Sequence, residues 1–180
     1  MKVVCYGDSN TYGFDARGYL GGRYKEPFPK LLAVKTGWNV VNDGLNGREI
    51  PKTAVSFPAD TDLLIIMLGT NDLLQFWTPE ATCEKMERFL KSLTLDRDKI
   101  LLIAPPPMIF GEWVRDQELI DDSIVLAKQY QALADRLCVR YADAGKWEKN
   151  IPLAYDGVHL TEEGHRAFAE GLIEYLQKGE

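Results

Sequence analysis

Four residues, Gly7-Asp8-Ser9-Asn10, directly follow the apolar stretch Val3-Val4-Cys5-Tyr6, and they hold the first group able to do chemistry. A serine leaving the carboxyl end of a buried parallel strand is placed to act as a nucleophile. Alone it is inert, because a hydroxyl at neutral pH is almost wholly protonated and attacks only when a base takes its proton. The chain has 2 histidines, so the search for that base is short. His159 lies in Asp156-Gly157-Val158-His159-Leu160, three residues after a carboxylate able to hold its ring in one tautomer. His165 has no such neighbour and shares a helical face with Phe168 and Leu172, so it reads as a packing residue. Ser9, His159 and Asp156 are the candidate nucleophile, base and orienting acid.

These groups act together only if the fold collects them. Five short apolar runs read as strands: Lys2 to Tyr6, Trp38 to Asn42, Leu63 to Leu68, Ile100 to Ala104 and Val139 to Ala142. Helical patterns fall between them. Thr78-Pro79-Glu80 supplies a cap, a first-turn proline and an early acid before Met86, Phe89, Leu90 and Leu93 at helical spacing. Ile120, Ile124, Ala127, Tyr130, Ala134 and Leu137 repeat likewise, as do Phe168, Leu172, Tyr175 and Leu176 after Thr161-Glu162-Glu163. Near-continuous apolar strands alternating with helices predict a parallel sheet covered on both faces, a three-layer α/β/α sandwich. The commonest order for five such strands is flavodoxin-like, 2-1-3-4-5, with the ligand at the carboxyl edge.

Composition narrows the function classes. At 180 residues the chain fits one domain, 1–180, with no need of disulfide or metal support. A net charge of −6 argues against nucleic acid as a partner, since phosphate binding calls for a basic patch. No apolar run approaches the roughly 20 residues that membrane insertion requires. Cys5, Cys83 and Cys138 are far apart, and they read as buried free thiols of a reducing compartment. With a first strand beginning at Lys2 in place of a secretory signal, a cytoplasmic location is expected. A Cys/His metal spacing and a P-loop are both missing, so no metal or cofactor is expected.

Every polar motif follows a strand and would emerge on one edge of the sheet. Asn42-Asp43-Gly44-Leu45-Asn46-Gly47 follows strand two, Gly69-Thr70-Asn71-Asp72 follows strand three, and Asp156 to His159 lies beyond strand five. The order above puts Ser9 between Gly44 and Asn71. Acyl transfer needs preset donors for a developing oxyanion, and the N–H groups of Ser9 and Gly44 with the Asn71 amide would supply three. His159 must return across three strand spacings, about 15 Å, and residues 143 to 158 can span about 50 Å when extended. Reach is not limiting. Asp8 and Asp72 read as loop braces through backbone N–H bonds. Asn10, Leu74, Trp77, Met108 and Val158 are candidates for the substrate pocket, and the cluster from Met108 to Trp113 fits a pocket as well as it fits core packing or a subunit contact.

The blocks GDSN with Ser9, NDGLNG with Gly44, GTND with Asn71 and DGVH with Asp156 and His159 resemble, in order and spacing, those of the SGNH (GDSL-type) hydrolases. The strings from Leu64 to Asp72 and from Leu102 to Pro107 look like the arylesterase and acyltransferase branch. That resemblance implies a serine esterase acting on small acyl esters, and often a homo-oligomer. Asn10 departs from it, since the eponymous pattern has leucine there. The catalytic blocks leave a lysophospholipase, thioesterase or carbohydrate O-deacetylase open, because they define the chemistry and not the leaving group. Outside the enzymes, a flavin-binding flavodoxin-like module could use Ser9, Asn10 and Thr11 as a phosphate cradle, and a receiver domain could use Asp8 and Asp72. Neither gives the DGVH block a purpose.

Overall fold

The computed structural model describes residues 1–18, 22–147 and 151–178. The chain runs through β1 (Lys2–Gly7), α1 (Ser9–Tyr12), a two-residue pair of strands β2 (Phe14–Asp15) and β3 (Gly22–Arg23), and α2 (Phe28–Thr36). It continues through β4 (Asn39–Gly44), β5 (Leu63–Met67), α3 (Thr70–Leu74), α4 (Pro79–Ser92) and β6 (Ile100–Ala104). α5 (Gln117–Leu137), β7 (Arg140–Asp143) and α6 (Glu162–Lys178) complete it.

Alternation of side chains across the pleat creates two cores from one sheet. Val4 and Tyr6 of β1, Leu64 and Ile66 of β5 and Leu102 of β6 face α4 and α5, where they meet Met86, Phe89, Leu90, Tyr130 and Leu133. Val3, Cys5, Leu63, Ile65, Leu101 and Ile103 point the other way, onto Phe28 and Leu32 of α2 and Phe168 and Leu172 of α6. With both faces covered, every residue of β5 and β6 is buried, which is why these strands are unbroken apolar runs. All neighbouring pairs of the five-stranded sheet are parallel, in the order β4-β1-β5-β6-β7. Counted along the chain this is 2-1-3-4-5, the expected order in the expected three layers.

The differences lie at the sheet's margins. Pairing of β4 with β1 runs on to Gly7↔Gly44, so the second sheet strand is Asn39–Gly44 and not Trp38 to Asn42. The last one begins at Arg140, because Cys138 takes a left-handed φ of 54° to cap α5, its N–H reaching the carbonyls of Ala134 and Asp135. Cys138 is consequently exposed, against the expectation of a buried thiol, Cys83 is half-buried, and only Cys5 is sealed in the core. The sequence reading also passes over α2, although Pro29 in its first turn and Gly37 just beyond its end mark both boundaries. Among the described residues no helix is long and apolar enough to cross a membrane.

Candidate active site

At the end of β1 the backbone must turn in a crowded space. A Cβ on Gly7 would lie 2.0 Å from Thr11 Oγ1 and 2.8 Å from the Met67 carbonyl, so only glycine fits. Asp8 then caps α1, its Oδ1 accepting the Asn10 N–H at 2.9 Å. Ser9 is the first residue of α1, where a backbone N–H has no intrahelical acceptor. Its residue is 7% exposed, enough to present the hydroxyl at the carboxyl edge.

The segment carrying Asp156 and His159 is bracketed onto this edge by the loop that follows β6. Three amides of that loop donate into it at 3.1 Å: Ile109 to the Gly157 carbonyl, Glu112 to Tyr155 and Trp113 to Asp156. Gly111 permits the approach, since a Cβ there would stand 2.3 Å from the Asp156 carbonyl carbon. From the other side the Tyr155 hydroxyl donates to the Ala16 carbonyl at 2.9 Å, and a Leu153–Leu160 bridge closes the segment on itself. Extended reach made the return feasible, and these bonds hold it in place.

The three polar groups form one line. Ser9 Oγ lies 2.9 Å from His159 Nε2, and His159 Nδ1 lies 2.8 Å from Asp156 Oδ2. The other oxygen, Asp156 Oδ1, accepts the N–H groups of Val158 at 2.9 Å and His159 at 3.0 Å. Burial pushes the Asp156 carboxyl up, but the bonds from the His159 ring and from these two amides outweigh it and hold the group below the usual carboxylate range. The carboxylate can therefore keep the imidazole proton on Nδ1 and leave Nε2 free to take one from Ser9. Asp8, buried nearby, has its carboxyl raised to about 6, because desolvation exceeds the help of the Asn10 N–H and of His159. As expected, it braces a loop, and Asp72 does the same by accepting the Ile50 N–H at 3.1 Å and pairing with Lys85. His165 is fully buried beneath Tyr24 and Phe28, accepts the Phe28 N–H at 3.3 Å, and is lowered by burial to about 4. It packs, as its helical face implies.

Gly44 does not have the expected free donor. Its N–H is given to Asn42 Oδ1 at 3.0 Å, and its missing Cβ serves packing, since a methyl group would stand 2.1 Å from the Tyr12 amide nitrogen. Farther along the same block, Leu45 to Arg48 form a turn closed by an Arg48 N–H to Leu45 carbonyl bond of 3.1 Å, with Gly47 at φ 72°. Among the described residues the Gly47 N–H has no acceptor. Asn71 Nδ2 reaches this turn, donating to the Arg48 carbonyl at 3.1 Å, which leaves its second amide hydrogen uncommitted. Arg48 itself ties the turn to β1, bonding the Gly7 carbonyl at 3.0 Å and Asp43 Oδ1 at 2.9 Å with its guanidinium over Tyr6.

The candidate pocket residues disperse. Met108 and Val158 are 2% and 5% exposed and belong to the core between the sheet and α5, because the bracketing loop turns them inward. Leu74 packs against that core, and Trp77, partly exposed, carries the Lys85 ammonium 4.6 Å from its ring centre. Asn10 is 3% exposed and spends its side chain on the backbone, so it is no pocket residue. The side chains beside the imidazole are instead Phe14, at 4.6 Å between ring centres, and Trp113, at 5.0 Å and edge-on. Phe14 and Arg48 escaped the sequence reading; an aromatic five residues after Ser9 was the available signal for the first, and nothing local marked the second. Among the described residues no group of three or more His, Cys, Asp and Glu is arranged to hold a metal ion.

The fold has counterparts among solved structures. A carbohydrate acetylesterase family member from Sinorhizobium meliloti is 27% identical with a TM-score of 0.80, the alignment covering 98% of this chain and 97% of that one. The aryl esterase of M. smegmatis superposes with a TM-score of 0.81 at 23% identity over 98% of both chains, a likeness of fold. No curated protein matches the chain. The profile of the GDSL-like Lipase/Acylhydrolase family matches residues 5–167, a span containing Ser9, Asn71, Asp156 and His159. The chain is therefore a member of that family, the SGNH hydrolases, and a carboxylic ester hydrolase.

Proposed function

We propose that the protein hydrolyses small acyl esters, with Ser9 as nucleophile, His159 as general base and then acid, and Asp156 as the group that orients the imidazole and stabilises its cation. The observation that supports this most is the continuous line from Ser9 Oγ through His159 to Asp156, with links of 2.9 Å and 2.8 Å. Ser9 Oγ bonds to the acyl carbon as its proton passes to Nε2. The tetrahedral intermediate then collapses, and the alcohol leaves with that proton. A water activated by the same nitrogen releases the acid. The oxyanion would be met by the Ser9 N–H, the free hydrogen of Asn71 Nδ2 and the Gly47 N–H, which has no acceptor to compete for it among the described residues.

Short acyl groups fit best, because Met108 and Val158, which could have lined a long apolar channel, are sealed in the core. An acetylated carbohydrate is the second reading for the alcohol side: Phe110, Trp113 and Tyr155 are 61%, 52% and 62% exposed around the histidine segment, and flat rings of this kind stack on sugars. A panel of p-nitrophenyl esters from acetyl to dodecanoyl, with acetylated xylose beside it, tests both. Turnover is expected to fall with chain length and to vanish in Ser9→Ala; equal rates for the two proteins would overturn the assignment.

A further inference from the structure

The residue after the nucleophile does something that the leucine of the family pattern could not. Asn10 Nδ2 donates to the Val158 carbonyl at 3.1 Å, and Asn10 Oδ1 accepts the Leu160 N–H at 2.8 Å. Val158 and Leu160 are the two neighbours of His159. The carboxamide thus pairs with the backbone on either side of the histidine, as a peptide group would in a β ladder, across 148 and 150 residues of sequence. All the groups involved are buried: Asn10 is 3%, Val158 5% and Leu160 0% exposed. The Asn10 N–H is itself fixed to Asp8 Oδ1 at 2.9 Å, so the clamp is anchored in the same turn that holds Ser9.

We infer that Asn10 is a positioning residue, which sets the distance between Ser9 and His159 by joining the turn of one to the backbone flanking the other. The inference rests on the Ser9–His159 reading above. Asp156 fixes the imidazole within its own loop, through Oδ1 to the His159 N–H and Oδ2 to Nδ1, and the His159 carbonyl accepts the Ala154 N–H at 2.7 Å. Those bonds orient the ring relative to residues 154 to 159, while the Asn10 pair ties that loop directly to the turn of the nucleophile. The contact needs one donor and one acceptor on a short planar group. Leucine offers neither, and an ionised aspartate offers no donor to the Val158 carbonyl. A protonated aspartic acid reproduces the pattern, with its hydroxyl donating and its carbonyl accepting.

The test compares Asn10→Leu, Asn10→Asp and Ser9→Ala with the parent on p-nitrophenyl acetate, with thermal melting of each protein at each pH. Asn10→Leu is expected to lose about 10- to 100-fold in kcat, the scale of a small misplacement, with KM moving by less than about threefold. For Asn10→Asp the activity relative to the parent at the same pH is expected to rise as pH falls from 8 to 5.5 and the new carboxyl takes up a proton. A folded Asn10→Leu with parental kcat, or a flat ratio for Asn10→Asp, overturns the inference. If Asn10→Leu does not fold, the Asn10→Asp ratio decides alone. Ser9→Ala separates the two levels: inactive Ser9→Ala beside parental Asn10 variants sinks only the clamp, whereas active Ser9→Ala sinks the catalytic reading beneath it.

Discussion

Replacing Asp156 by asparagine should abolish most turnover while leaving the fold in place, and the hydrogen bonds say why. Asp156 Oδ1 accepts two N–H groups, from Val158 at 2.9 Å and His159 at 3.0 Å, and Oδ2 faces His159 Nδ1 at 2.8 Å. An amide placed there has no choice of orientation: its oxygen must stay with the two backbone donors, since an NH2 group would confront both. The NH2 then points at Nδ1, which must become an acceptor. The imidazole proton moves to Nε2, 2.9 Å from Ser9 Oγ, where the base is needed. A base in the wrong tautomer costs about 10⁴ in kcat in the template serine mechanism, or roughly 5 kcal/mol of transition-state stabilisation. Stability should change little, because both backbone bonds survive, whereas Asp156→Ala would strand two buried N–H groups at about 1–3 kcal/mol each. The assay is kcat for p-nitrophenyl acetate at pH 8 beside the melting temperature of both variants. A folded Asp156→Asn protein within tenfold of the parent would refute the role given to this carboxylate.

Two further outcomes are expected. Gly44→Ala places a methyl group 2.1 Å from the Tyr12 amide nitrogen, a backbone atom that cannot step aside, and should cost about 1–3 kcal/mol or more in the stability read by urea unfolding; an unchanged midpoint would show that β4 and α1 are not packed this closely. Between pH 6.5 and 4 two buried groups should oppose each other: His165, lowered to about 4, lends stability that is present above its unfolded value near 6.5 and is lost as pH falls through 4, while Asp8, raised to about 6, lends stability that is present below about 4 and is lost as pH rises through 6. Asp8→Asn removes the second contribution, so the melting temperature of that variant should drop on acidification more steeply than the parent's, and parallel curves would contradict the assignment.

The site was readable in the sequence to the extent that its parts are local. Ser9 follows β1, Asn71 lies in the first turn of α3, just after β5, and Asp156 lies three residues before His159; each relation is a short-range consequence of where an apolar run stops. The layer structure was readable for a similar reason, since two covered faces force the unbroken apolar strands Leu63–Met67 and Ile100–Ala104. Strand ends were less so. β4 extends to Gly44 because its partner β1 extends to Gly7, and Val139 stays out of β7 because Cys138 before it caps α5, both decisions made by neighbours.

What the amino-acid order determined by itself was the chemistry on offer: a hydroxyl, an imidazole with its carboxylate, and amide donors, each delivered to the carboxyl edge of a parallel sheet by the periodicity of the segments around it. Tertiary structure decided which of those groups are free to act. Gly44 loses its N–H to Asn42, Met108 and Val158 turn into the core, and Asn10 reaches across 150 residues to the backbone beside His159. Spacing along a chain says which atoms exist near a motif, but a hydrogen bond is spent on whatever partner the folded surroundings bring within about 3 Å, and that partner is a property of the packed whole.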